Sequence, residues 1–153
     1  VSPIDEFPED QWDAIIAINL TSAFHSTKAA LAGMKRRRAG RIINIASLAG
    51  LAPGGSSIAY AAGKAGLIHL THCLAVALAP EVTVNCIAPG LVEGTRMAER
   101  LPEAMKQVLR TQALLGRSGS ADDIAQMAVA YCRADSVTGQ TFLIYCGNPM
   151  GMR

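Results

Sequence analysis

Two short apolar runs, residues 41–46 (RIINIA) and 82–88 (VTVNCIA), each lie between longer segments whose apolar residues recur at steps of three and four. Runs this short, rich in Ile and Val and stopped by turn-forming residues, read as strands buried on both faces. The helical segment between them is long enough to make the crossover that a parallel pair requires. A third run, inside SVTGQTFLIYCG, completes the alternation. The expected class is therefore α/β, a parallel sheet of three strands with flanking helices. In an open sheet of this kind the ligand crevice lies outside the carboxyl ends of the strands. Ser47, which ends the first run, and Pro89-Gly90, which follow the second, stand at such ends.

The helices have readable limits. Pro8, Glu9 and Asp10 suit a first turn, since proline tolerates that position and carboxylates favour the positive end of the helix dipole. Trp12, Ile15, Ile16, Ala23, Phe24, Ala30, Leu31 and Met34 then recur at helical spacing, interrupted by Asn19, up to Lys35-Arg36-Arg37-Arg38. Cations complement that end of the dipole, and Gly40 is expected to cap it. Residues 48–57 contain Gly50, Pro53, Gly54 and Gly55 and are not expected to form a regular element. Ser56 or Ser57 can cap the next helix, which carries Leu67, Leu70, Leu74 and Leu78 and ends near Pro80. Its small residues Ala61, Ala62, Gly63, Ala65 and Gly66 admit another backbone or a flat ligand, or simply pack on the sheet. Residues 101–112 look helical, and Leu91, Met97, Leu101 and Met105 would make this segment a partly apolar cover over the strand ends. Ser120-Ala121-Asp122-Asp123 opens a last helix with a cap and early carboxylates.

With 153 residues, half of them apolar and 17% charged, the chain can bury the core of one domain and is not disordered. A formal charge of +2 gives no reason to expect nucleic acid or an acidic membrane as partner. Cys73, Cys86, Cys132 and Cys146 show no Cys-x-x-Cys spacing and read as small buried hydrophobes of a reducing compartment, which with the lack of a visible secretory signal points to the cytoplasm. His69 and His72 lack a third ligand candidate at metal-site spacing, so no metal is expected. No apolar run is expected to span a membrane. The sequence starts at Val1, which suggests an incomplete or processed product.

The chemistry is carried by three residues around the first strand end. Tyr60 follows Ser47 by 13 positions, and Lys64 lies four beyond Tyr60. Positions four apart share a helix face. An ammonium so placed favours the ionised form of a phenol whose reference pKa is about 10, making it a proton donor and acceptor near neutrality. A serine hydroxyl at the neighbouring strand end would hold the oxygen that exchanges the proton. That is chemistry for an alcohol or a carbonyl.

Asn-Ile-Ala-Ser before the loop, Tyr-Ala-Ala-Gly-Lys after it, Asn19-Leu20 upstream and Ala88-Pro89-Gly90 downstream together resemble the short-chain dehydrogenase/reductases, of the kind that includes 3-oxoacyl-carrier-protein reductases. The resemblance implies a Rossmann-like parallel sheet and a hydride transfer between NAD or NADP and a small-molecule carbonyl or secondary alcohol. It implies Tyr60 as acid/base, Lys64 as its electrostatic partner and ribose ligand, and Ser47 as the group orienting the substrate oxygen. Asn19 would kink its helix and support a proton-relay water. Pro89-Gly90 would flank the nicotinamide, and Val92 and Thr95 would belong to the cofactor site, Thr95 lying one position later than is usual. The helices matching residues 10–37 and 57–79 build a four-helix interface in the family, which implies a homodimer or homotetramer.

Three features depart from the pattern. Gly63 replaces the usual serine, Tyr145-Cys146-Gly147 stands where Asp-Gly-Gly is common, and no Gly-rich phosphate turn follows a strand. The sheet is accordingly expected to be incomplete, residues 1–153 being the C-terminal portion of one dehydrogenase domain whose Gly-rich dinucleotide-binding half is not in this sequence. Strand 41–46 should then expose an edge. The residues that select NAD or NADP belong to that other half. Two further readings are a truncated, inactive product acting at most as a subunit-association module, and, ranked last, a fragment of an extended-family epimerase or dehydratase.

Overall fold

Three parallel strands form the sheet, in the order β1 (Gly40–Ile45), β2 (Val82–Pro89), β3 (Thr141–Ile144), so that β2 is central. The computed structural model describes residues 3–147. Val82, Val84, Cys86, Ile87 and Ala88 of β2 are buried, as in a strand covered on both faces, and the buried polar residue among them, Asn85, donates to the Val137 carbonyl at 2.9 Å. In register, Asn44 faces Cys86 across one ladder and Thr141 faces Cys86 across the other. All three strands end on the same side, as the sequence predicts.

Helix α3 (Ile58–Leu78) is the element on which the core is built. Ser57 caps it by accepting the Tyr60 N–H at 3.1 Å. Leu67 and Ile68 pack with Ala46, Cys86 and Ala88 near the strand ends, while Ala75 and Leu78 pack with Val82 and Val84 toward the other end. Each fully buried Val or Leu side chain contributes about 1.5–3 kcal/mol. One expectation is corrected here: α3, at 21 residues and mean hydropathy 1.3, is by length and composition long enough to cross a membrane. Its apolar face lies on the sheet and its first turns carry Lys64, so it serves as the core helix.

Helices α1 (Glu9–Ile16) and α2 (Ser22–Arg37) are joined by a π-helical turn, Ala17–Thr21. That turn settles the purpose of two small residues in α3. A Cβ on Gly63 would stand 3.1 Å from Asn19 Cβ, and one on Gly66 would stand 2.9 Å from Leu20 Cδ2. The close approach is of one helix to another. Only Thr27 of α2 is buried, and Trp12 and Phe24 are 38% and 46% exposed, so the apolar stripe of this segment is incompletely covered.

Further differences from expectation have local causes. Helix α2 is closed by Arg38 in the left-handed conformation (φ 51°) and not by Gly40, which already pairs with Glu81 as the first residue of β1. Glycine is needed at 40 for space, since a Cβ would come within 2.8 Å of Met34 Sδ. Residues 48–50 form one 3-10 turn inside the loop. Cys86 alone among the cysteines is buried; Cys73 and Cys132 are exposed and Cys146 is half-buried. The segment beyond β2 forms the short α4 (Arg96–Glu99) and then α5 (Glu103–Gln112). Helix α6 (Ala121–Arg133) opens with a complete capping box, in which Ser120 and Asp123 satisfy each other's backbone N–H groups.

Candidate active site

The site begins where β1 stops. Ala46 still pairs with Ile87 (N–H to carbonyl 2.8 Å), and Ser47 then leaves the sheet in an extended conformation, its Oγ accepting the Ala49 N–H at 3.2 Å. The turn that follows is pressed onto α3. A Cβ on Gly50 would stand 2.7 Å from the Lys64 carbonyl carbon, so only glycine lets the two backbones meet. Gly55 (φ +96°) brings the loop back, and a Cβ there would meet both Ala49 Cβ at 2.9 Å and the Tyr60 ring at 3.1 Å. The Ser47 turn and the half-buried Tyr60 ring thus share one loop enclosure.

Lys64 lies one turn beyond Tyr60 on α3, with its Nζ 5.7 Å from the centre of the Tyr60 ring. The same Nζ donates to the carbonyl of Ile45 at 2.9 Å, which fixes the side chain against the end of β1. Burial lowers the Lys64 pKa from its ordinary value, and the charge that Cys86 would carry opposes this. Cys86 itself has its thiol pushed up, chiefly by burial. Lys64 therefore releases a proton more readily than a solvated lysine does. The Ile45 carbonyl was not legible in the sequence, because a backbone acceptor carries no residue signature.

Asn19 occupies the centre of the π-helical turn, where the regular hydrogen-bond ladder is interrupted. Its Nδ2 donates to the Ile15 carbonyl at 2.9 Å, and its Cβ faces Gly63. The side chain is thus tied into its own helix beside the turn of α3 that bears Lys64.

The second strand end supplies the other wall. Gly90 donates its N–H to the Ile144 carbonyl at 2.8 Å, and a Cβ at Gly90 would stand 2.9 Å from Tyr145 Cβ. Val92 forms a bridge with Gly119. Thr95 Oγ1 donates to the Val92 carbonyl at 2.8 Å and accepts the Ala98 N–H at 3.2 Å, capping α4. Its hydroxyl is committed to its own turn, and none of its bonds reaches Tyr60 or Lys64. A recess of about 500 Å³ between β3 and α6, lined by Met127, Phe142 and Tyr145 among others, contains none of Ser47, Tyr60 and Lys64.

A sequence model of the short chain dehydrogenase family matches residues 1–106. The chain belongs to that family. D-beta-hydroxybutyrate dehydrogenase of Cupriavidus necator is 40% identical, over 84% of this chain and 55% of its own length. A 3-oxoacyl-[acyl-carrier-protein] reductase of Pseudomonas aeruginosa is 41% identical, over 87% of this chain and 55% of its own. The chain spans about half the length of these curated relatives. Among solved structures, a gluconate 5-dehydrogenase from Burkholderia cenocepacia in complex with NADP and tartrate superposes with a TM-score of 0.90 at 29% identity, covering 97% of this chain and 60% of that one. The parallel α/β sheet read from the sequence is thus the sheet of this family, and the chain accounts for three of its strands.

Proposed function

We propose that residues 1–153 are the catalytic, C-terminal portion of an NAD(P)-dependent oxidoreductase that interconverts a carbonyl and a secondary alcohol, in the manner of a 3-oxoacyl reductase. The observation that carries this reading is the placement of Tyr60 and Lys64 one helical turn apart against the Ser47 turn, at the carboxyl end of a parallel sheet. A dinucleotide would lie along the strand ends, where Lys64 brings a cation and the side of Gly90 that lacks a Cβ is taken up by Tyr145. Tyr60, Lys64, Pro89, Gly90, Val92 and Thr95 are the residues that would hold it, Thr95 through its backbone turn. When bound, NAD or NADP supplies the hydride donor or acceptor. No Gly-rich phosphate turn occurs within the 153 residues, so the pyrophosphate would be held by the remainder of the domain.

The chain's own groups then divide the proton chemistry. Tyr60 gives its hydroxyl proton to the substrate oxygen in reduction and takes it back in oxidation. Ser47 donates a hydrogen bond to that oxygen and fixes its distance from Tyr60. The Lys64 ammonium stabilises the phenolate that forms, and its lowered pKa suits it to pass a proton onward. Asn19, at the interrupted helix, marks where a relay water would stand. A small-molecule substrate, a cytoplasmic setting and a homodimer or homotetramer are part of the same reading; Phe24 and Val76, 46% and 84% exposed on α2 and α3, support the last.

Those exposed helix faces equally favour the second reading, a subunit-association module without activity of its own. Steady-state reduction of a small reactive ketone separates the two, using this chain joined to the Gly-rich half of a close relative. Turnover supports the oxidoreductase; a folded, dinucleotide-binding hybrid with no turnover sinks it.

A further inference from the structure

Helix α5 is weakly anchored by packing. None of its residues is buried, and it has only marginal contact with any other helix or strand among the described residues. Its outer side exposes Met105 and Val108, each 51%, and Met97 of α4 is 57% exposed. The segment is anchored at its ends, where Ala98 and Ala113 are buried and Leu115 N–H donates to Cys146 O at 3.1 Å, and α5 between them needs a tie of its own to the body of the domain.

Arg110 provides it. Its Nε donates to Glu93 Oε1 at 2.6 Å and its Nη1 donates to Glu103 Oε1 at 2.9 Å, while Lys106 adds a 3.2 Å contact to Glu103 Oε2. Glu93 is not on α5. It lies in the turn that leaves Pro89-Gly90 and ends at Thr95, and that turn is fixed from behind: Glu93 N–H donates to Gly119 O at 3.2 Å and Gly119 N–H to Leu91 O at 3.0 Å. The Glu93 carboxyl is held below its ordinary value, chiefly by the hydrogen bond from Arg110.

We propose that Arg110 is a positioning residue that fastens the α4–α5 segment, through Glu93, to the turn bordering the strand-end crevice, so that the cover and the cofactor-side wall move together. The identification of that crevice as the catalytic one rests on the function proposed above; the mechanical tie does not. Because both partners reach solvent, with side chains 28% and 48% exposed, the tie is weak and is screened by salt. It is a fastening that opens readily.

Amide hydrogen exchange over residues 97–112 of this chain tests the idea without any need for activity. At low salt, Glu93→Gln and Arg110→Met should each speed exchange by about two- to five-fold, and the double variant should add nothing further. The charge exchange Glu93→Arg with Arg110→Glu, made in a Glu103→Gln background so that Glu103 does not repel the new carboxylate, should restore protection relative to Glu103→Gln with Arg110→Glu alone, and 0.5 M sodium chloride should bring the parent to the rates of the variants. Unchanged exchange in Glu93→Gln, additive losses, or indifference to salt would overturn the tie. In the joined enzyme, Arg110→Met should raise KM several-fold with kcat little altered; exchange coupling without turnover in the parent would leave the tie standing and remove only the catalytic reading.

Discussion

Tyr60 and Lys64 are four residues apart, and the function proposed for them separates cleanly at the level of single atoms. Tyr60→Phe deletes one hydroxyl from a ring that already packs against Gly55. In the joined enzyme this should leave dinucleotide affinity nearly intact and lower kcat by about 10²–10⁴-fold, the usual worth of general acid/base catalysis. Lys64→Ala should harm both quantities, because one ammonium is asked to stabilise a phenolate and to hold ribose. Near-parental kcat in Tyr60→Phe would make the residue structural. Lys64 also bears on stability. Burial lowers its pKa in the folded chain, so the folded state binds this proton less tightly than the unfolded state does. That cost is fully present below the folded pKa and is relieved as pH rises through it toward the unfolded value of about 10.4. Lys64→Met should therefore gain stability relative to the parent at pH 7, and the gap should narrow by pH 9.5 in urea titrations. A gap independent of pH would show that the hydrogen bond to Ile45, not burial, dominates.

At the scale of elements, the strand-loop-helix unit from β1 to α3 depends on a contact between two backbones at Gly50. Gly50→Ala places a methyl 2.7 Å from the Lys64 carbonyl carbon and 2.8 Å from Ala65 N, atoms that cannot rotate away. The expected loss is about 1–3 kcal/mol of unfolding free energy, read by urea denaturation, together with looser packing of Tyr60. Gly66→Ala is the contrast, since its methyl meets only the movable end of Leu20, and it should cost clearly less. Equal costs would mean that the turn yields and does not set the site. Much at this scale was legible beforehand: strand positions to within a residue, the cap of α3 to Ser56 or Ser57, and the cap and early carboxylates that open α6 at Ser120, because each has a local chemical signature. The rest was not local. Periodicity shows that Trp12, Phe24 and Cys73 lie on a helix, but only the assembled layers show that nothing among the described residues covers them fully. Arg38 closing α2 in place of Gly40, and Arg110 reaching Glu93 across 17 positions, depend on where distant backbone passes.

For the molecule as a whole, the sheet decides what the 153 residues can do unaided. Strand β1 is an edge, and Ile45 at its end is 45% exposed although it carries the carbonyl that fixes Lys64. In the function proposed above, Ser47, Tyr60 and Lys64 would stand on one side of a crevice whose anion-binding backbone is not among these residues. Dinucleotides owe much of their hold to N–H groups at a helix N-terminus behind a Gly-rich turn. Without that contribution, Lys64 and the Gly90 wall leave only the nicotinamide and its ribose to be bound. A polypeptide of residues 1–153 alone should accordingly bind NAD and NADP with a dissociation constant of about 1 mM or weaker, corresponding to about 4 kcal/mol. The same residues joined to a Gly-rich half should reach the micromolar range, with β1 then protected from hydrogen exchange along its outer edge. Calorimetric titration of both polypeptides with both dinucleotides measures this. Micromolar binding by residues 1–153 alone would mean that the strand ends around Tyr60 and Gly90 form a nucleotide site by themselves, and that the division of labour argued here between the two parts of the domain is wrong.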